Sequence, residues 1–114
     1  MSTSTDTSTS MRGRLMTMTA RPGRGDDLAA VLLRVATGLR GFPGCEVYLI
    51  AQDETDPDTV RVTEVWRDEA SAQAALTAPV PDGAPTPGDV LTLLAAPPQR
   101  IDLRVLGGVG LHAE

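Results

Sequence analysis

Apolar residues along this chain recur first at every second position and then at every third or fourth, and the switches between these rhythms mark out its elements. Leu15 to Ala20 sets Met16 and Met18 against Thr17 and Thr19 in strict alternation, which predicts a first strand. Arg21-Pro-Gly-Arg-Gly25 breaks it, and Asp26 offers a side-chain oxygen to the free amides of a following helix. Leu28, Leu32, Val35 and Leu39 then share one helical face with Val31 beside them; Gly41 suits a left-handed cap and Pro43 stops the helix. Cys45 to Gln52 predicts a second strand, with Val47, Leu49 and Ala51 on one face and Tyr48 and Ile50 on the other, so both faces are apolar. The polar turn from Asp53 to Asp58 leads into Val60 to Trp66, a third strand that should pair antiparallel with the second. On it Val60, Val62, Glu64 and Trp66 share one face, and Arg61, Thr63 and Val65 the other.

Asp68 suits the cap of a short alanine-rich helix running to about Leu76, and the proline-interrupted stretch Thr77 to Thr86 reads as a loop. Thr86, Pro87 and Asp89 form a helix start, with Val90, Leu93 and Leu94 as its apolar stripe and Pro97-Pro98 as its end. Ile101, Leu103 and Val105 alternate with Asp102 and Arg104 in a fourth strand, after which Gly107, Gly108 and Gly110 loosen the tail before His112. Met1 to Ser10 is almost all serine and threonine and buries nothing, so residues 1–13 are expected to be a disordered tail and 14–114 a single domain. The order βαββαβ with right-handed crossovers predicts an α+β, ferredoxin-like fold: a four-stranded antiparallel sheet with helices on one face. The other, apolar face then needs cover, and a second copy of the chain is the expected partner.

Composition narrows the chemistry. With 10 basic against 15 acidic residues in 114, the chain is one small acidic domain whose scattered arginines argue against nucleic-acid binding. Cys45 and His112 are the sole cysteine and histidine, so an intramolecular disulfide is impossible and a zinc site is a poor match; no metal is expected. No run approaches the roughly 18 apolar residues that span a bilayer, and no signal peptide opens the chain, so a cytoplasmic protein with no membrane partner is expected. Gly107-Gly-Val-Gly110 has no helix after it and is not a phosphate loop.

Thr19-Ala-Arg-Pro-Gly23, Gly41-Phe-Pro-Gly-Cys45 followed by Tyr48, Val62-Thr-Glu-Val-Trp-Arg-Asp-Glu-Ala70, and Pro97-Pro98 leading to Gly107-Gly-Val-Gly110 together resemble the antibiotic biosynthesis monooxygenase family. Its members are small dimeric α+β barrels of bacterial secondary metabolism. The resemblance implies oxidation of a small aromatic, quinol, anthrone or polyketide-like substrate, with molecular oxygen as co-substrate and no metal or flavin cofactor. Trp66 and Glu64 are then the expected catalytic residues, the ring packing against the substrate and the carboxylate serving as base or orienting acceptor. Tyr48, Val62 and Arg104 are the expected substrate contacts: a hydrogen-bond donor, the position where some relatives have asparagine, and, with Arg100, a possible phenolate partner. Ala72 and Ala75 stand where quinol-type relatives carry histidine or another polar side chain. Cys45 reads as a small buried hydrophobe, and His112 as an exposed terminal residue or a cover for the pocket mouth. The pocket is expected between sheet and helices, with Trp66 and Glu64 on its wall and the 77–86 loop near its mouth. Two other functions suit the same fold: a non-redox polyketide cyclase or isomerase, and a small-molecule-binding accessory protein. Haem degradation is disfavoured, because relatives that perform it use an asparagine and a histidine with no counterpart here.

Overall fold

Strand β1 (Arg12–Thr19), helix α1 (Gly25–Gly38), strands β2 (Cys45–Gln52) and β3 (Thr59–Trp66), helices α2 (Glu69–Thr77) and α3 (Pro87–Leu91) and strand β4 (Gln99–Arg104) follow in that order. They lie within residues 11–111, the part of the chain that the computed structural model describes. The strands form one antiparallel sheet in the order β2-β3-β1-β4, the ferredoxin-like arrangement with β1 and β3 at the centre. Of the tail expected over residues 1–13, residues 1–10 lie outside the described residues, as does His112, whereas Arg12 and Gly13 belong to β1. Among the described residues, no helix is long and apolar enough to cross a membrane.

Strand parity decides what the helices cover. Val60 and Val62 of β3, Met18 of β1 and Leu28 and Leu32 of α1 form the buried core, with Ala20, Leu94, Tyr48 and Ile50 packed into it. Leu28, Val60 and Val62 are fully enclosed. At an order of 2 kcal/mol for each large apolar side chain buried, this layer is what holds α1 on the sheet. It occupies the end of the sheet where β3 begins; α2 follows the last residue of β3 closely and packs against that strand.

The helix ends are set by different means. Thr86 and Asp89 form the expected reciprocal capping box around Pro87, and Asp68 accepts from the Ser71 amide at 2.8 Å to start α2. Asp26 does not cap α1. Arg24 occupies the cap position but its side chain donates to Asp27 and caps no amide, and Asp58, from the β2–β3 turn, accepts from the Gly23 amide at 3.0 Å and the Gly25 amide at 2.9 Å. Asp26 instead accepts from the Gln52 side chain at 2.9 Å. A cap lent by a distant turn ties α1 to the β2–β3 hairpin, which a local reading of Asp26 misses.

Two strand boundaries also differ from the periodicity. β1 begins at Arg12 rather than Leu15, because residues 12–14 pair with both β3 and β4 although arginine takes the inward positions. β4 ends at Arg104, leaving Val105 beyond the ladder with its Cγ2 over Gly13.

The β2–β3 turn carries its own acid sensitivity. Asp53 accepts from the Thr55 amide and hydroxyl, both at 2.9 Å, and from Arg61 at 3.0 Å. These bonds, the Thr55 amide first, push its carboxyl down to about 2. A pKa depressed in the folded state contributes stability above the unfolded value near 4, and that contribution disappears as the pH falls toward 2. Acid titration of unfolding free energy should therefore be less steep over this window for Asp53→Asn than for the natural chain; coincident curves would contradict it.

Candidate functional site

On the helix-facing side, successive rows of side chains cross the sheet. Trp66, Arg12 and Arg104 stand side by side on β3, β1 and β4. The next row is Tyr48, Glu64, Arg14 and Asp102, and the next Ile50, Val62, Met16 and Arg100. The rows thus change from apolar, under α1, to charged, toward the end of β3. α1 packs chiefly on β2 and β3, and Glu69 in the first turn of α2 reaches toward Arg12 and Arg14 of β1.

The space left is a cleft of about 330 Å³, lined by Arg12, Gly13, Arg14, Glu69, Arg100, Asp102, Leu103 and Arg104. Glu69, in the first turn of α2, lies 3.8 Å from the guanidinium groups of both Arg12 and Arg14. Arg100 donates to Asp102 at 2.7 Å; this bond raises the arginine's pKa and lowers that of the aspartate.

Behind the cleft wall is a buried polar unit. The Trp66 indole donates from Nε1 to Glu64 Oε1 at 2.9 Å, and the same oxygen lies 3.9 Å from Arg14 Nη1. Arg14 and Glu64 are only 6% and 7% exposed, so a buried ion pair joins the tryptophan to the cleft. Phe42 meets Trp66 edge to face, with ring centroids 6.2 Å apart. Gly44, with φ +84°, carries the chain beneath Ser71 of α2; a Cβ there would collide with the serine side chain. Burial, followed by the nearby Glu64 carboxylate, raises the Tyr48 phenol well above its ordinary range. The same causes, with Glu46, raise the Cys45 thiol. Both groups stay protonated at neutral pH, so neither is an activated nucleophile or base.

Of the residues singled out from the sequence, Arg104 and Arg100 line the cleft. Trp66 and Glu64 do not: Trp66 is buried against Phe42, and Glu64 is buried beside Arg14, which lines the cleft in its place. Val62 is fully buried in the core beneath α1, Ala72 is fully buried in α2, and Tyr48 packs at the core's edge. The 77–86 loop is not part of the lining; Arg34 of α1 donates to its Gly83 carbonyl at 2.6 Å. Arg12, Arg14, Glu69 and Asp102 are the cleft residues that sequence reasoning missed, and the alternation of β4 against an arginine-bearing β1 was the signal available. Among the described residues, no group of three or more histidine, cysteine, aspartate or glutamate side chains is placed to hold a metal ion.

A ferredoxin-like sheet half roofed by helices, with a polar cleft at the unroofed end, defines a class of small α+β proteins. The chain belongs to the antibiotic biosynthesis monooxygenase family, whose model matches residues 11–80. Among solved structures it is similar to a candidate antibiotic biosynthesis monooxygenase from Chloroflexus aurantiacus J-10-fl. The two are 33% identical with a TM-score of 0.71, over 90% of this chain and 100% of that one. A protein of unknown function from Nitrosomonas europaea shares the fold at TM-score 0.74 and 23% identity, over 94% and 99% of the two chains. A similar fold occurs in a candidate monooxygenase of this kind from Caulobacter crescentus CB15, at TM-score 0.71 and 18% identity over 88% and 93%. Among curated proteins, none matches the chain. Family and fold place the protein among small-molecule monooxygenases or binding proteins.

Proposed function

We propose that the protein is a cofactor-independent monooxygenase that oxidises an anthrone- or quinol-like aromatic intermediate with molecular oxygen. The observation that carries this reading, in a chain of this family, is the arginine-walled cleft backed by the Arg14–Glu64–Trp66 unit. Guanidinium groups around an acidic phenol or anthrone favour its anion, and the anion is electron-rich enough to pass an electron to oxygen without help. Glu69, the carboxylate on the wall beside Arg12 and Arg14, is placed to accept the proton. Recombination at carbon and loss of water convert a CH2 group and O2 into a carbonyl group and H2O; the four electrons taken from the substrate balance those that reduce oxygen. Glu64 and Trp66 act as positioning residues here, holding Arg14 at the cleft.

Anthrone is a suitable probe. Anthraquinone carrying one atom from labelled dioxygen should form faster than the uncatalysed background, cease to form anaerobically, and slow by about 100-fold in Glu69→Gln. Conversion at an equal rate without oxygen would replace this reading by the cyclase. Binding without turnover would favour the accessory protein, the reading that the burial of Trp66 and Glu64 behind the wall supports.

The active form is proposed to be a homodimer. On the sheet face away from the helices, Leu49, Thr63, Leu15 and Ile101 form one row across the strands, and Val47, Val65, Gly13 and Leu103 the next. Leu49 and Ile101 are each 56% exposed in the single chain, an apolar surface that a second sheet would cover. Light scattering at micromolar concentration should give the dimer mass, and Ile101→Glu the monomer mass. A monomeric natural chain would contradict the assembly.

A further inference from the structure

The cleft carries more positive charge than its own carboxylates balance, and the surplus lies at one spot. Arg100 is occupied by Asp102, and Arg14 lies between Glu64 and Glu69. Arg12 has only Glu69, at 3.8 Å and beyond hydrogen-bond range. Arg104 has no ion pair and no side-chain hydrogen bond among the described residues, and it stands directly opposite Arg12 in the β1–β4 register. Like charges facing each other on neighbouring strands repel, and an anion between them turns that repulsion into attraction. Four arginines face two wall carboxylates, Glu69 and Asp102, in a chain whose net charge is −5. The cleft therefore has the opposite sign to the molecule around it.

We propose that Arg12 and Arg104 together seat a carboxylate group of the substrate, so that the protein takes aromatic acids in preference to neutral aromatics. This rests on the reading of the cleft as the substrate site. Two guanidinium forks match the planar, two-oxygen acceptor of a carboxylate, a geometry that a lone phenolate oxygen satisfies only in part. The seat spans the edge strand β4 and its neighbour β1, so the carboxylate occupies the outer end of the cleft. The ring then extends inward toward Arg14 and Glu69, where the oxidation is proposed to occur.

Calorimetric titration with 2-naphthoate and its neutral amide tests the seat without requiring turnover. The natural chain should bind 2-naphthoate at least about tenfold more tightly than 2-naphthamide, with the difference shrinking as salt is added. Arg12→Gln and Arg104→Gln should each weaken 2-naphthoate about tenfold and leave the amide unchanged, while Arg40→Gln, in the turn after α1 and outside the cleft lining, should change neither. Both cleft arginines are exposed, so their replacement leaves the core intact. Equal affinity for acid and amide, no binding of the acid, or an equal effect of Arg40→Gln would overturn the proposal. A carboxylate preference that survives while neither anthrone nor an anthrone carboxylic acid is oxidised would leave the seat standing and remove the monooxygenase reading. Oxygen-dependent turnover of anthrone, with no preference for the acid, would do the reverse.

Discussion

Replacing Glu64 by alanine is expected to destabilise the protein by about 3 kcal/mol, because it leaves the Arg14 guanidinium buried with its one buried carboxylate partner gone. Removing one partner of a buried pair ordinarily costs about 3–5 kcal/mol, and the lower end applies because Arg14 keeps the half-exposed Glu69 at 3.8 Å. The Trp66 indole loses its acceptor in the same step. Glu64→Gln keeps an oxygen in place for the indole and should cost less. If the pair is the cause, Arg14→Met combined with Glu64→Leu will be more stable than Glu64→Ala, since no charge then remains without a counterpart. Urea unfolding of the three variants measures the difference. A loss below about 1 kcal/mol for Glu64→Ala would mean that water reaches Arg14 freely.

Gly25→Ala should cost a similar amount for a steric reason. Gly25 opens α1 where the β2–β3 turn passes close overhead, and a Cβ there would run into the Pro57 carbonyl and lie 2.7 Å from the Asp58 Cα. Backbone cannot swing aside as a side chain can, so the turn must move and take the Asp58 cap with it. Overpacking of about 1–3 kcal/mol and a cap of about 1 kcal/mol together predict a loss near 3 kcal/mol. Gly38, at the other end of the same helix, has nothing within 4 Å of a built Cβ. Alanine there should stabilise by up to about 1 kcal/mol, as its helix propensity dictates. Thermal unfolding of the two variants, run side by side, separates steric from propensity effects; similar midpoints would refute the argument.

The fold was legible wherever a period ran long enough to fix a face. Val60, Val62, Glu64 and Trp66 share one face of β3 because alternation leaves no other choice, and their burial follows. Thr86, Pro87 and Asp89 could be read as a helix start because a capping box is local chemistry. The α1 cap was not legible from Asp26, since its true donor of oxygen, Asp58, is more than thirty residues away in the chain. The cleft was only half legible. Parity puts Arg100 and Arg104 on a common face, but a search for apolar alternation passes over Arg12 and Arg14, whose inward positions become visible only once β1 is paired with β4. Trp66 and Glu64 were placed on the correct face of the sheet, yet parity says nothing about what packs around them, and it is Phe42 against Trp66 and Arg14 beside Glu64 that accompany their burial away from the opening.

The position of β4 has a further consequence. All six of its residues are exposed, and it is an edge strand bound to the sheet through β1 alone. If the cleft seats a ligand as proposed, exchanges at positions 100, 102 and 104 alter its preference at a folding cost within about 0.5 kcal/mol, whereas Leu28, Val60 and Val62 admit almost none. On that proposal selectivity and foldability are written in different elements, so descendants of this chain are free to drift in what they bind while inheriting the same scaffold.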